Sequence, residues 1–97
     1  MPDSIAISNV QLVWASEEEQ QRGLLGWILC TINGVLVFDG LALRRTRDGR
    51  LTLSYPARRD RCGIAHHVLR PIDDVARREI ERQVFSQIDA RVLGGAT

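Results

Sequence analysis

Apolar residues along this chain recur first with the period of strands and then with the period of a helix. From Ile5 to Trp14 they alternate on one face and, past Ser8-Asn9, on the other, which predicts a strand with a bulge or twist at that point. Ser16-Glu17-Glu18-Glu19-Gln20-Gln21-Arg22-Gly23 is a polar, acidic break and reads as a solvated loop. Leu24 to Ile32 is almost continuously apolar, the pattern of a central strand covered on both faces. Asn33-Gly34 stands between two apolar runs and tolerates the two positive φ angles of a type I′ turn, so a hairpin is expected there. Val35 to Leu43 returns as the next strand, with Gly40 marking a bulge. Asp48-Gly49 repeats the turn signal, and Leu51 to Tyr55 alternates apolar and polar.

The period then changes. Pro71-Ile72-Asp73-Asp74 has the form of a helix start, with proline just ahead and Asp as N-cap. Ala76, Ile80, Val84 and Ile88 follow at four-residue steps, joined by Phe85, in one stripe that can seal one face of a sheet. The helix is expected from about Asp73 to Arg91, ended by Gly94-Gly95. Four meandering strands followed by a helix predict an α+β fold, an antiparallel sheet with the C-terminal helix packed on one face. With 97 residues and no linker, residues 1–97 form a single domain with a thin core, which self-association would extend.

Charge changes this picture more than composition does. The net charge is only +1, yet Leu41 to Arg70 holds eight arginines against Asp48 and Asp60, a net +6. The excess lies at the turn Arg44-Arg45-Thr46-Arg47-Asp48-Gly49-Arg50 and in the loop Arg58-Arg59-Asp60-Arg61. Guanidinium groups concentrated on a turn and a loop suit phosphate oxygens, which need protruding, convergent donors. The same charges equally describe a solvated face, and arginines at a strand edge also block edge-to-edge aggregation. All 13 basic residues are arginine, which fits planar bidentate donation as well as GC-rich coding. Arg77 and Arg78, near the helix start, either complete a phosphate site or are neutralised by Asp73 and Asp74.

Other chemistry is sparse. Cys30, Cys62, His66 and His67 lack the tight paired spacing of a metal site, and the carboxylates fall at turns and caps, so no catalytic residue, cofactor or small-molecule substrate is expected. His66 is expected at the sheet–helix junction and His67 in solvent. Trp14, Trp27, Phe38 and Phe85 fall in apolar segments and read as core; Tyr55, beside the Arg58-Arg59 loop, is the candidate for stacking on a base. Two cysteines make no disulfide framework, and no leader or membrane-length apolar run is visible, which reads as a cytoplasmic protein with no membrane partner.

Three pieces in order, Tyr55-Pro56-Ala57-Arg58-Arg59, then Ile64-Ala65-His66, then the helix segment Ile72 to Val84 with Arg77, Ile80 and Val84, carry a family resemblance. Over Val35 to Ile88 the chain resembles the SpoVG family, the stage V sporulation protein G or septation regulators. The family has proline directly after the histidine; this chain has His67-Val68-Leu69-Arg70 before Pro71. The resemblance implies a small homodimeric α+β protein that binds DNA, and in some members RNA, in regulating gene expression, sporulation or septation in cell division, without catalysis. The basic residues that would carry binding are Arg58, Arg59, Arg61 and Arg77, with Arg44, Arg45, Arg47 and Arg50. The alternative is a non-enzymatic interaction module that binds a protein through an exposed sheet edge.

Overall fold

The computed structural model describes residues 5–89. Four strands, β1 (Ile7–Trp14), β2 (Leu24–Ile32), β3 (Leu36–Arg45) and β4 (Leu51–Ser54), form an antiparallel sheet in the order β1-β2-β3-β4. A short helix α1 (Glu17–Gln21) joins β1 to β2, a two-stranded ribbon of β5 (Ala57–Arg59) and β6 (Ala65–His67) follows β4, and α2 (Asp74–Asp89) comes last. The fold is α+β, a meander with a helix on one face.

Local chemistry sets most of these boundaries. At Asn33-Gly34 both φ angles are positive, 52° and 69°, and the Val35 N–H donates to the Ile32 carbonyl at 3.0 Å. The Asn33 side chain also accepts from the Ala6 N–H at 2.7 Å, tying the turn to the chain entering β1. Gly40 is the extra residue at one of the two β2–β3 register shifts, the other lying between Leu24 and Gly26, and the β1–β2 register shifts between Ser8 and Gln11, where Asn9 has φ 51°. At the start of α2 the Asp73 carboxylate accepts the Ala76 N–H at 2.8 Å, the bond of an N-cap.

Three readings of the sequence are corrected. The acidic segment after Trp14 is a helix rather than a loop: Ser16 and Glu19 form a reciprocal capping box, and Glu18 pairs with Arg22 at 3.4 Å. The stretch carrying Arg58 and Arg59 is a ribbon rather than a loop, because the Asp60–Ile64 turn reverses the chain and lets Arg58 pair with His66. Strand β2 is central but covered on one face only, so Trp27 stands exposed while Ile28 and Cys30 are fully buried. The expected helix end at Arg91 and Gly94-Gly95 lies outside the described residues.

The core sits between the inner sheet face and α2. Ile28, Cys30, Leu41 and Leu43 from the sheet meet Val84 and Ile88 from the helix, all fully buried, with Ile80 and Phe85 half-buried at the margin. Helix α2 also holds the start of β1 by side chains that act like a neighbouring strand. Gln83 accepts from the Ile7 N–H at 2.7 Å and donates to the Ile5 carbonyl at 2.8 Å, and Gln87 donates to the Ile7 carbonyl at 2.8 Å. These bonds occupy backbone groups that an edge strand would otherwise leave open.

Candidate nucleic-acid interface

The basic residues expected at a binding surface divide into two groups that line separate clefts. The first is on the ribbon. Asp60 organises its tip, accepting the N–H groups of Cys62 and Ile64 at 2.9 Å each through Oδ1, while Oδ2 lies 2.8 Å from His66 Nε2. Arg59 donates from its guanidinium to the Gly63 carbonyl at 2.6 Å, which ties that head group to the turn. Arg58, Arg59, Arg61, Asp60 and His66 line an open cleft of about 690 Å³. The three guanidiniums make no ion pair among the described residues. The His66 hydrogen bond, followed by that of the Ile64 N–H, holds the Asp60 carboxyl below its ordinary value.

The histidines differ in part from the sequence reading. His66 is exposed on β6 beside Asp60 and not at the sheet–helix junction; His67 is exposed as expected. Short strands explain the difference, since the ribbon leaves the sheet only two residues after β4 ends.

The second group surrounds the β3–β4 turn. Arg45 and Arg47 line a cleft of about 290 Å³ with Gln20, Gln21, Arg22, Gly23 and Thr46. On the other side of Thr46, Arg50 and Arg77 line one of about 250 Å³ with Leu51, Thr52 and Glu81. Asp48 accepts from the Thr46 hydroxyl and lies 3.4 Å from Arg50; the Thr46 bond, aided by the Arg50 charge, holds its carboxyl below the ordinary carboxylate range. Arg77 is engaged by Asp74 at 3.4 Å and Glu81 at 3.3 Å, so helix carboxylates neutralise it. Arg44 is exposed, opposite Thr52 in the β3–β4 ladder, and lines neither cleft.

Arg22 is the residue that local sequence reasoning missed. The signal was the register of the Asn33-Gly34 hairpin, which brings Gly23 against Arg45, whose N–H donates to the Gly23 carbonyl at 2.8 Å. Counting back along that ladder places Arg22 beside the β3–β4 turn.

The aromatic assignment holds at Phe38 and Phe85, which pack against the core, and is reversed at Tyr55, Trp14 and Trp27. Tyr55 packs on Phe38, ring centroids 6.2 Å apart, and its hydroxyl is buried without a hydrogen-bond partner among the described residues. Burial, reinforced by Glu81 and opposed by Arg77, pushes its hydroxyl up to about 12. Tyr55 therefore offers no free ring, whereas Trp14 and Trp27, read as core, are exposed. Burial also raises the Cys30 thiol, and Cys62 is exposed on the ribbon. Among the described residues no group of three or more His, Cys, Asp or Glu side chains could hold a metal ion, and no helix is long and apolar enough to cross a membrane.

No protein-family model matches the chain, and no curated protein matches it in sequence.

Proposed function

We propose that this chain is a nucleic-acid-binding regulatory protein of the SpoVG kind, a cytoplasmic homodimer acting in gene regulation or septation control. DNA is the first candidate ligand and RNA the second. The observation that carries the reading is the ribbon: Arg58, Arg59 and Arg61 line one open cleft, held by an internally bonded turn and opposed there by a single carboxylate, Asp60. Phosphate contacts by arginine position a backbone without reading its sequence, so weak sequence preference is expected. Arg45, Arg47 and Arg50 add a second patch. Arg77, already paired with Asp74 and Glu81, contributes least.

A binding titration against duplex DNA, single-stranded DNA and RNA over a range of salt tests this reading. Four to six phosphate contacts give a slope of log affinity against log salt of about −4 to −5 on duplex. A slope near zero on all three would contradict it. A second reading has its own observation. Among the described residues no strand pairs with the outer side of β4, while Gln83 and Gln87 occupy the start of the β1 edge. A protein partner adding a strand at β4 would keep its affinity when Arg58 and Arg59 are changed to Glu.

A further inference from the structure

All fourteen residues from Ala57 to Arg70 are exposed, and neither helix nor the four-stranded sheet packs extensively on β5 or β6. A two-stranded ribbon on its own is marginal in water. The continuation toward α2 is apolar and bare: Val68, Leu69, Ile72 and Val75 are exposed, Ile72 to 85%. The sheet face away from α2 is equally uncovered, with Val13 opposite Trp27 in the ladder and Val37 further along, all exposed. Among the described residues, eleven large apolar side chains are exposed against eleven apolar residues buried in the core. Apolar surface on that scale marks an interaction site.

We propose that the arm from Ala57 to Val75 docks on the outer sheet face of a second copy, whose own arm docks back. The proposal rests on the homodimer of the preceding reading and names its interface. Both unpartnered surfaces belong to the same chain, so a two-fold axis covers both at once. A stable interface takes about 800 Å² from each partner, a little over a tenth of this chain's 6907 Å² surface. That area would come from the apolar part of the arm, Val68, Leu69, Ile72 and Val75, set against Val13, Trp27 and Val37 of the sheet face, which leaves the arginines of the ribbon free. Docking also gives Arg44 a place. It lies two residues from Ala42, which pairs with Trp27, and so on the same outer face. The arginines of an arriving arm would join it in one basic track spanning both copies.

Sedimentation equilibrium on the full chain, paired with a proximity measurement, tests the proposal. The parent chain is expected to be dimeric at micromolar concentration. V68S/I72S changes two exposed residues, so it keeps the parent circular dichroism and loses association by tenfold or more; R58A/R59A stays dimeric. Independently, Cys62 is exposed and Cys30 buried, so a thiol-reactive nitroxide reports from the arm. A labelled W14F/W27F chain mixed with an unlabelled W14F chain should quench Trp27 of its partner, with recovery on dilution. A V68S/I72S chain that remains dimeric, with no quenching in the mixture, overturns the arm as interface and leaves the dimer standing. A parent chain that is monomeric at high micromolar concentration overturns both, while the salt titration judges nucleic-acid binding separately.

Discussion

Changing Gln83 to Ala tests whether α2 holds the sheet edge through specific bonds rather than through its apolar stripe alone. The side chain accepts from the Ile7 N–H at 2.7 Å and donates to the Ile5 carbonyl at 2.8 Å. Each such bond contributes about 1 kcal/mol net, and a buried donor left unmade costs about 1–3 kcal/mol. Ile7 is buried, so its orphaned N–H places the loss at about 2 kcal/mol, or roughly 8–16 °C in Tm for a domain of this size. Adding Q87A removes the bond to the Ile7 carbonyl, and about 1 kcal/mol more, less than additively because both glutamines meet Ile7. Q83E separates the two roles. Its carboxylate can still accept from Ile7 but cannot donate to Ile5, and it replaces the amide that donates to Glu79 at 2.7 Å, setting two carboxylates against each other. Urea denaturation gives the global loss, and hydrogen exchange at the Ile7 amide gives the local one. Q83A should lower the midpoint and expose that amide, whereas Q83E should lower the midpoint and keep the amide protected. An Ile7 amide as protected in Q83A as in the parent, at an unchanged midpoint, would refute the reasoning.

Three further outcomes follow from particular contacts. Gly26→Ala would put a Cβ 2.4 Å from the Val13 carbonyl oxygen, so the β1–β2 ladder must shift; a loss of about 2 kcal/mol or more in urea is expected, and an unchanged midpoint would contradict the packing. Tyr55→Phe removes a buried hydroxyl that has no partner among the described residues, so stability at pH 7 should hold or rise. Because the folded hydroxyl titrates near 12 against 10.0 in the unfolded chain, its stabilisation is complete below pH 10 and lost as pH rises toward 12. Y55F should flatten that alkaline limb by about 1–2 kcal/mol after solvent screening. Asp60 has the opposite sign: its folded value is depressed, so its contribution is present above the ordinary carboxylate value and lost as pH falls below it. Asp60→Ala should speed amide exchange at Cys62 and Ile64 and leave the protection of β2 and β3 unchanged.

The meander was legible because its turns carry their own chemistry. Asn33-Gly34 and Gly49 adopt the positive φ angles that their residue types favour, and the stripe ending in Val84 and Ile88 fixed which face of α2 is buried. Helix α1 was legible too, in the Ser16–Glu19 spacing of a capping box, but three consecutive glutamates read as a solvated loop. The ribbon was harder to see. Ala57-Arg58-Arg59 and Ala65-His66-His67 have no apolar alternation, since neither face of the ribbon is buried in its own chain. For the same reason His66 was expected at the sheet–helix junction, when its partner is Asp60 six residues away. Trp27 shows the limit of reading burial from an apolar run, because Leu24 to Ile32 gives no sign that one sheet face stays uncovered. The basic block itself was visible by counting; that it divides among three clefts, with Arg22 joining one and Arg77 tied up by carboxylates, depends on register and helix placement.

The most direct test of nucleic-acid binding compares the salt dependence of R58A/R59A and R45A/R47A with that of the parent on one duplex. Because the two groups line separate clefts, each pair should act independently. Each double variant should weaken binding to similar extents across unrelated sequences and flatten the slope of log affinity against log salt by about one to two units. Should R58A/R59A bind as tightly as the parent at every salt concentration, the ribbon arginines are a solvated surface and the proposed function is wrong.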